Sequence, residues 1–229
     1  MHFPGVDLRP VDMLRAFVFA LLVAQTAPAR ACDTALLLAI DVSGSIDAGE
    51  YAMQSQGLAA ALADPDVVAA LLQGQVALAV VQWSGKGEQA VTQPWRRMLS
   101  PVEIAVFAQT AAVLPRRYGS DTAVGQALDF AVSQFPAVAD CSRKVIDISG
   151  DGQENVGFTV AAARSHAEAA GIEVNAIAIE DPGQSAPITS FYLKWVVTRH
   201  GFALTARGLQ DYPRAIREKL LRELARPVG

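Results

Sequence analysis

Long apolar runs mark the strands of this chain. Residues 35–42 and 75–83 show almost no alternation of polar and apolar positions, which is the pattern of strands covered on both faces. Residues 90–98 follow the turn Ser84-Gly85-Lys86-Gly87, so we expect them to return as an antiparallel partner at the sheet edge. The other predicted strands are residues 144–149, 173–179 and 202–205.

Helical patterns lie between these strands. A helix over residues 48–63 stops at Asp64-Pro65, and a second short helix continues to Leu72. The other predicted helices are residues 101–113, 123–135, 160–170 and an amphipathic closing helix with Ile216, Leu220, Leu221 and Leu224 on one side. Residues 181–199 fit neither pattern.

The alternation of strands and helices predicts one α/β domain over residues 32–229. We expect a doubly wound, Rossmann-like fold, with a mostly parallel six-stranded sheet, one antiparallel edge strand and helices on both faces. In such sheets, ligands bind outside the carboxyl ends of the strands.

Residues 1–31 have the composition of a cleaved signal peptide. Arg9 and Arg15 precede an apolar run over residues 16–24, and Ala29-Arg30-Ala31 supplies the small-x-small pattern of a cleavage site. The run is about half of the roughly 20 residues that a transmembrane helix needs, and no later segment is long enough. We therefore expect an exported protein, periplasmic or secreted, without a membrane span.

Composition and charge narrow the classes of partner. A hydrophobic content of 52% excludes a disordered polymer. Without residues 1–31, 16 Lys and Arg face 21 Asp and Glu, a net charge of −5 with histidines neutral. This balance argues against nucleic acid or an anionic membrane surface as a partner. We expect a monomer.

Five oxygen-bearing side chains are predicted to meet at the carboxyl edge of the sheet. They are Asp41, Ser43 and Ser45 after the first strand, Thr122 at the start of a helix, and Asp151 after the strand over residues 144–149. Carboxylates and hydroxyls without sulfur or imidazole favour a hard divalent cation. The alternative is that the serines only form a turn and that Thr122 or Asp121 only caps the helix.

In order and spacing, Asp41-x-Ser43-x-Ser45, Thr122 and Asp151-Gly152 resemble the metal-ion-dependent adhesion site of von Willebrand factor A-type (VWA) domains. The segments VVQWSG and DISGDG and the basic closing helix resemble a bacterial family of secreted, single-domain VWA-like proteins of unknown function. The resemblance covers essentially the whole mature chain and implies a VWA fold.

The resemblance also implies roles for these residues. Ser43, Ser45 and Thr122 would bind the cation through their hydroxyls, and Asp41 and Asp151 would act directly or through bound water. Mg²⁺ is the expected cation, with Mn²⁺ and Ca²⁺ as alternatives. Neutral hydroxyls leave an open coordination position electrophilic, so it can accept a carboxylate from a protein partner. The expected output is binding without catalysis.

Cys32 and Cys141 both remain after cleavage. In an oxidising compartment, two cysteines favour one disulfide over a metal site. The strand order of VWA domains implies that the strands after the two cysteines are parallel neighbours, so that the cysteines meet at the end opposite the metal. Two buried free thiols and lipidation of Cys32 are the alternatives.

Five further residues near the predicted rim are candidates for partner contact: Arg116, Arg117, Asp121, Glu154 and Asn155. The alternative for the two arginines, the glutamate and the asparagine is a solvated loop. We interpret Asp121 as a cap of the helix that follows.

Two other functions compete with a binding module. A metal-assisted or serine-dependent hydrolase would need a second Asp two residues after Asp41, a G-x-S-x-G elbow or a histidine base, and the sequence offers none of these near the site. Nucleotide-binding glycine motifs are also absent. A metal-free structural subunit with the same fold remains the third possibility.

Overall fold

The computed structural model describes residues 32–181 and 187–225 of the 229-residue chain. Its strands are β1 (Thr34–Asp41), β2 (Ala77–Trp83), β3 (Gln89–Arg97), β4 (Arg143–Gly150), β5 (Glu173–Glu180) and β6 (Ala203–Arg207). They form one sheet in the order β3-β2-β1-β4-β5-β6. Only β2 and β3 pair antiparallel, which confirms the predicted hairpin at the sheet edge.

Seven α-helices occur in the described part of the chain. They are α1 (Ala48–Leu62), α2 (Pro65–Gly74), α3 (Pro101–Ala112), α4 (Val124–Val132), α5 (Val160–Ala169), α6 (Ile188–Phe191) and α7 (Tyr212–Leu224). Short 3₁₀ turns at Phe135–Val138 and Leu209–Asp211 and a π-helix at Tyr192–Val196 complete the elements.

The sheet is buried on both faces. All eight residues of β1 are buried, as its uninterrupted apolar run predicts. Leu37 and Ala39 belong to a core with α4, α5 and the π-helix, whereas Leu36 and Leu38 belong to a core with α1, α2, α3 and α7. The predicted doubly wound α/β fold is therefore confirmed.

Strand β2 pairs with one edge of β1, and β4, which comes later in the chain, pairs with the opposite edge of β1. Because β1 lies between β2 and β4, strand order reverses at its carboxyl end. A crevice at such a point is where doubly wound folds bind ligands. Asp41 ends β1, and Asp151 follows β4 directly.

One predicted helix ends earlier than expected, and the unassigned stretch is partly helical. The helix predicted over residues 123–135 ends at Val132, and Phe135 lies in a 3₁₀ turn before Pro136. The unassigned stretch contains α6 and the π-helix. Residues 182–186 of this stretch lie outside the described residues, and so does the predicted signal peptide over residues 1–31. No helix in the described ranges is long and apolar enough to cross a membrane.

The predicted disulfide between Cys32 and Cys141 is present. Cys32 precedes β1 and Cys141 precedes β4, and these two strands are parallel neighbours. The disulfide therefore lies at the amino ends of the strands, opposite the candidate site.

Candidate metal site

Asp41 is fully buried at the end of β1. Its Oδ1 accepts a hydrogen bond from the backbone N–H of Ser43 at 2.7 Å, which fixes the turn after the strand. Gly44 continues this turn against a neighbouring loop, where its N–H donates to the Ser120 carbonyl at 2.7 Å. A Cβ at Gly44 would lie only 3.0 Å from that oxygen, so the close approach favours glycine.

The two serines connect this turn to the loop after β4. The hydroxyls of Ser43 and Ser45 share a hydrogen bond of 3.2 Å. Ser45 Oγ donates to Asp151 Oδ1 at 2.7 Å across a sequence separation of 106 residues. Thus the structure brings Asp41, Ser43, Ser45 and Asp151 into one connected group.

Thr122 joins the same group from a third loop. Its backbone N–H donates to Asn155 Oδ1 at 2.9 Å, and its carbonyl accepts from the Asn155 N–H at 3.0 Å. A Cβ on Gly152, next to Asp151, would lie 3.6 Å from Thr122 Oγ1. The threonine hydroxyl is therefore close to the Asp-Gly turn.

Electrostatics at this edge disfavour two bare carboxylates. Burial raises the pKa of Asp41 from 3.8 to about 7, and the nearby charge of Asp151 adds to the shift, while hydrogen bonds from Ser43 oppose it. Burial also raises the pKa of Asp151, against the hydrogen bond from Ser45. A divalent cation would offset this cost, because a bound cation favours ionised ligands.

The donor set fits a hard cation. It consists of hydroxyl and carboxylate oxygens, which are the ligands that such cations prefer. Among the described residues, no group of three or more His, Cys, Asp or Glu side chains could hold a metal ion. Asp41 Oδ2 is buried and has no hydrogen-bond partner among the described residues. A cation held directly or through water would satisfy such an oxygen.

Three of the predicted rim residues form hydrogen bonds to the backbone of the loops that carry the site. The Arg116 guanidinium donates to the carbonyls of Val42 and Ser43, the latter at 2.7 Å. Asn155 holds the Thr122 backbone, as described above. Glu154 accepts from the N–H groups of Gly125 at 2.9 Å and Val160 at 3.2 Å.

Arg117 and Asp121 are exposed. The interpretation of Asp121 as a helix cap is wrong, because the N-cap residue of α4 is Ala123, which makes no side-chain capping hydrogen bond. Its N-terminal N–H groups are reached instead by Glu154, through Gly125.

Sequence reasoning missed four residues near this edge. Trp83, Gly150 and Tyr192 lie together beneath Asp41. Phe158 is 79% exposed in the loop after Asp151 and has a left-handed φ of 54°, which is unusual for a bulky residue. Tyr192 belongs to the unassigned stretch. Trp83 and Gly150 lie in the segments VVQWSG and DISGDG, but no local pattern places them or Phe158 near Asp41.

Comparisons with solved structures agree with this fold. Proximal thread matrix protein 1 (PTMP1) from the mussel byssus, in a structure described as having a zinc-occupied MIDAS motif, has a TM-score of 0.64 at 18% identity. A von Willebrand factor type A protein from Catenulispora acidiphila gives 0.63 at 18%, and the pilus adhesin SpaC from Lactobacillus rhamnosus GG gives 0.64 at 13%. At these identities the similarity establishes the fold alone.

The matches cover 85%, 84% and 84% of this chain and 48%, 43% and 30% of the respective structures. The chain thus spans less than half the length of each. No curated protein matches it in sequence.

The model of one protein family, described as "Protein of unknown function (DUF1194)", matches residues 31–228. With the sheet order and the structural neighbours above, this match establishes that the protein has a von Willebrand factor A-like fold and belongs to the DUF1194 family.

Proposed function

We propose that this protein is a non-catalytic, divalent-metal-dependent binding module of the adhesion type, which recognises an acidic group on a protein partner. The observation that carries the proposal is the 2.7 Å hydrogen bond from Ser45 to Asp151, which joins two distant loops beside Ser43 and Thr122. Oxygen side chains from three segments meet there at the switch point of the sheet.

The roles of the ligands follow from their chemistry. Ser43, Ser45 and Thr122 would hold the cation through neutral hydroxyls, and Asp41 and Asp151 would hold it directly or through water. Mg²⁺ is the expected ion, with Mn²⁺ or Ca²⁺ as alternatives. The hydroxyl ligands are neutral and would leave the charge of a bound ion unchanged, so the ion would supply an electrophilic centre that attracts a carboxylate from the partner.

The partner surface would extend beyond the cation. Arg117 and Asp121 are exposed at the neighbouring loop, and Phe158 is an exposed aromatic side chain on the Asp151 loop. Arg116, Glu154 and Asn155 have intramolecular hydrogen bonds, so their proposed contribution is to hold this surface in place. An acidic partner group with an apolar neighbour would suit such a rim.

A serine hydrolase is less well supported. The hydroxyls of Ser43 and Ser45 bond to each other and to Asp151, and within the described chain neither is bonded to an imidazole base. A nucleophilic serine needs such a base to accept its proton.

Calorimetric titration with Mg²⁺, Mn²⁺ and Ca²⁺ tests the site. We expect saturable binding by the wild-type protein, loss of at least about tenfold in affinity for Asp41→Ala and Thr122→Ala, and no change for Thr110→Ala, a threonine in α3 away from the site. A wild-type protein that binds none of the three ions would refute the proposal. If the wild-type protein binds a cation, a pull-down with it from envelope extract, with and without chelator, would identify a metal-dependent protein partner.

We also propose export to the periplasm or the cell exterior after cleavage behind Ala31. The disulfide supports this, since such bonds persist in oxidising compartments. Mass spectrometry of the protein isolated from periplasmic, membrane and culture-medium fractions tests the proposal, because it gives both the location and the molecular mass of the mature chain. We expect a chain that begins at Cys32, carries no lipid and has Cys32 bonded to Cys141. An added lipid mass would indicate a membrane anchor instead.

A further inference from the structure

Asp41, Trp83 and Gly150 lie side by side on three adjacent strands, at the same level of the sheet beneath the candidate metal site. Asp41 of β1 is paired in register with Trp83 of β2. On the other side, Ile40 is paired with Ser149, so Gly150 comes next to Asp41. Neighbouring residues of parallel strands point to the same face. Trp83 lies in the core with α4 and α5, and the Asp41 side chain shares that face.

Gly150 leaves a gap on this face that another residue fills. A Cβ built on Gly150 would clash with the Tyr192 hydroxyl and would lie 2.8 Å from Asp41 Oδ2 and 3.3 Å from the Trp83 ring. Tyr192 is fully buried and begins the π-helix Tyr192–Val196. Because position 150 has no side chain, the tyrosine hydroxyl reaches the neighbourhood of the Asp41 carboxylate.

The polar atoms around this gap are complementary. Asp41 Oδ2, Tyr192 OH and Trp83 Nε1 are all buried, and the described residues supply no hydrogen-bond partner for any of them. Buried polar atoms without partners are rare and call for an explanation. Here two are donors and one is an acceptor. The Tyr192 hydroxyl and the Trp83 indole N–H are the donors, and Asp41 Oδ2 is the acceptor.

We propose that Tyr192 is a positioning residue for the metal site: its hydroxyl holds Asp41 Oδ2, directly or through one water shared with Trp83 Nε1, while the Ser43 N–H holds Oδ1. This inference rests on the proposed function. It adds that metal affinity depends on a helical segment that begins 151 residues after Asp41. Isolated π-helical turns are frequent at functional sites, which agrees with the position of Tyr192.

The substitution Tyr192→Phe tests the inference, because it removes only the hydroxyl. Tyr212→Phe is the matched control: Tyr212 is equally buried, but it lies in the core on the other face of the sheet, and its hydroxyl bonds to Ser149. Calorimetry with Mg²⁺ and Mn²⁺ should show affinity about 10- to 100-fold lower for Tyr192→Phe and unchanged for Tyr212→Phe. Urea unfolding without metal should show that Tyr192→Phe loses no more stability than the control.

The outcomes separate the two proposals. Wild-type affinity retained in Tyr192→Phe would overturn the positioning role and leave the binding module intact. Absence of binding by the wild-type protein would overturn both.

If the Tyr192→Phe variant does not fold, ¹⁹F NMR of the wild-type protein with fluorotyrosine in place of tyrosine tests the inference instead. The chain has four tyrosines, so the ¹⁹F resonance of Tyr192 is assigned by elimination, using Phe substitutions at Tyr51, Tyr118 and Tyr212. A shift of this resonance on addition of Mg²⁺ supports the inference, and a resonance unmoved at saturation overturns it.

Discussion

At the scale of single residues, the two glycines on either side of Asp151 differ in how much space a side chain would have. Gly150 faces the Tyr192 hydroxyl and the Asp41 carboxylate at distances that leave no room for a side chain. Gly152 has only ordinary contact distances of 3.6 and 3.7 Å to Thr122. The first is therefore required by packing beneath the site, and the second is not.

Substitution by alanine distinguishes them. We expect Gly150→Ala to lower the free energy of unfolding by about 1 to 3 kcal/mol, because the added methyl overfills the core. Gly152→Ala should stay within about 0.5 kcal/mol of wild type. Urea unfolding of both variants measures this, and equal stabilities would show that the Tyr192 region can shift to accept a methyl group.

At the scale of elements, one carboxylate serves the starts of two helices. Glu154 accepts from Gly125 in the first turn of α4 and from Val160 at the start of α5. These N–H groups have no partners within their own helices, and a negative charge is favourable there. The loop after Asp151 is thereby fixed to the helix that follows Thr122.

Removal of this carboxylate should cost stability. We expect Glu154→Ala to lower the free energy of unfolding by about 1 to 2 kcal/mol, as loss of a helix cap does. Glu218→Ala is the control, because it removes only an exposed ion pair with Arg214 and should change stability by less than about 0.5 kcal/mol. Equal unfolding midpoints for the two variants in urea would contradict the capping role.

Helix α7 carries a buried ionic cluster against β4. Lys219 Nζ lies 2.6 Å from Asp147 Oδ1 and 2.5 Å from Glu223 Oε1, and Asn175 donates to the same glutamate oxygen at 3.0 Å. One cation thus faces two buried carboxyl groups. Burial raises the pKa of Glu223 to about 8; the charge of Lys219 opposes the shift and that of Asp147 adds to it.

This raised pKa predicts a pH dependence of stability. Between about pH 4.5 and about pH 8, native Glu223 holds a proton that the unfolded chain has lost. The native state then binds more protons, so the free energy of unfolding falls as pH rises through this range. Glu223→Gln should flatten the dependence relative to wild type, whereas Glu218→Gln should not. Urea unfolding at several pH values measures it, and parallel profiles for wild type and Glu223→Gln would disprove this assignment.

At the scale of the whole molecule, the disulfide and the candidate site lie at opposite ends of β1 and β4. The Cys32–Cys141 bond closes a loop with a sequence separation of 109 residues. Strand β1 runs from Thr34, two residues after Cys32, to Asp41, and these seven steps span roughly 23 Å at about 3.3 Å per residue. Stability and metal binding should therefore respond independently to changes at the two ends.

The double substitution Cys32→Ala/Cys141→Ala tests this separation. We expect the free energy of unfolding to fall by about 2 to 5 kcal/mol, because the unfolded chain gains conformational freedom. Affinity for Mg²⁺ or Mn²⁺, measured by calorimetry below the unfolding midpoint, should be unchanged. A loss of affinity in a folded double variant would show that the two ends are coupled.

The sequence by itself determined the order and type of most elements, because apolar periodicity and turn residues act over a few neighbouring positions. It also placed Asp41, Ser43 and Ser45 after a buried strand, and the alternation of strands and helices then predicted that Thr122 and Asp151 approach the same edge. The disulfide followed from the strand order that the family resemblance implied.

Only the tertiary structure decided which residues support that edge. Tyr192 reaches Asp41 because Gly150 leaves space, and Glu154 caps α4 although Asp121 is nearer in sequence. These contacts depend on how distant segments pack around one another, and no local pattern records that geometry. The candidate ligands are positioned by short loops at strand ends, whereas the residues that support them are positioned by the close packing of the whole domain.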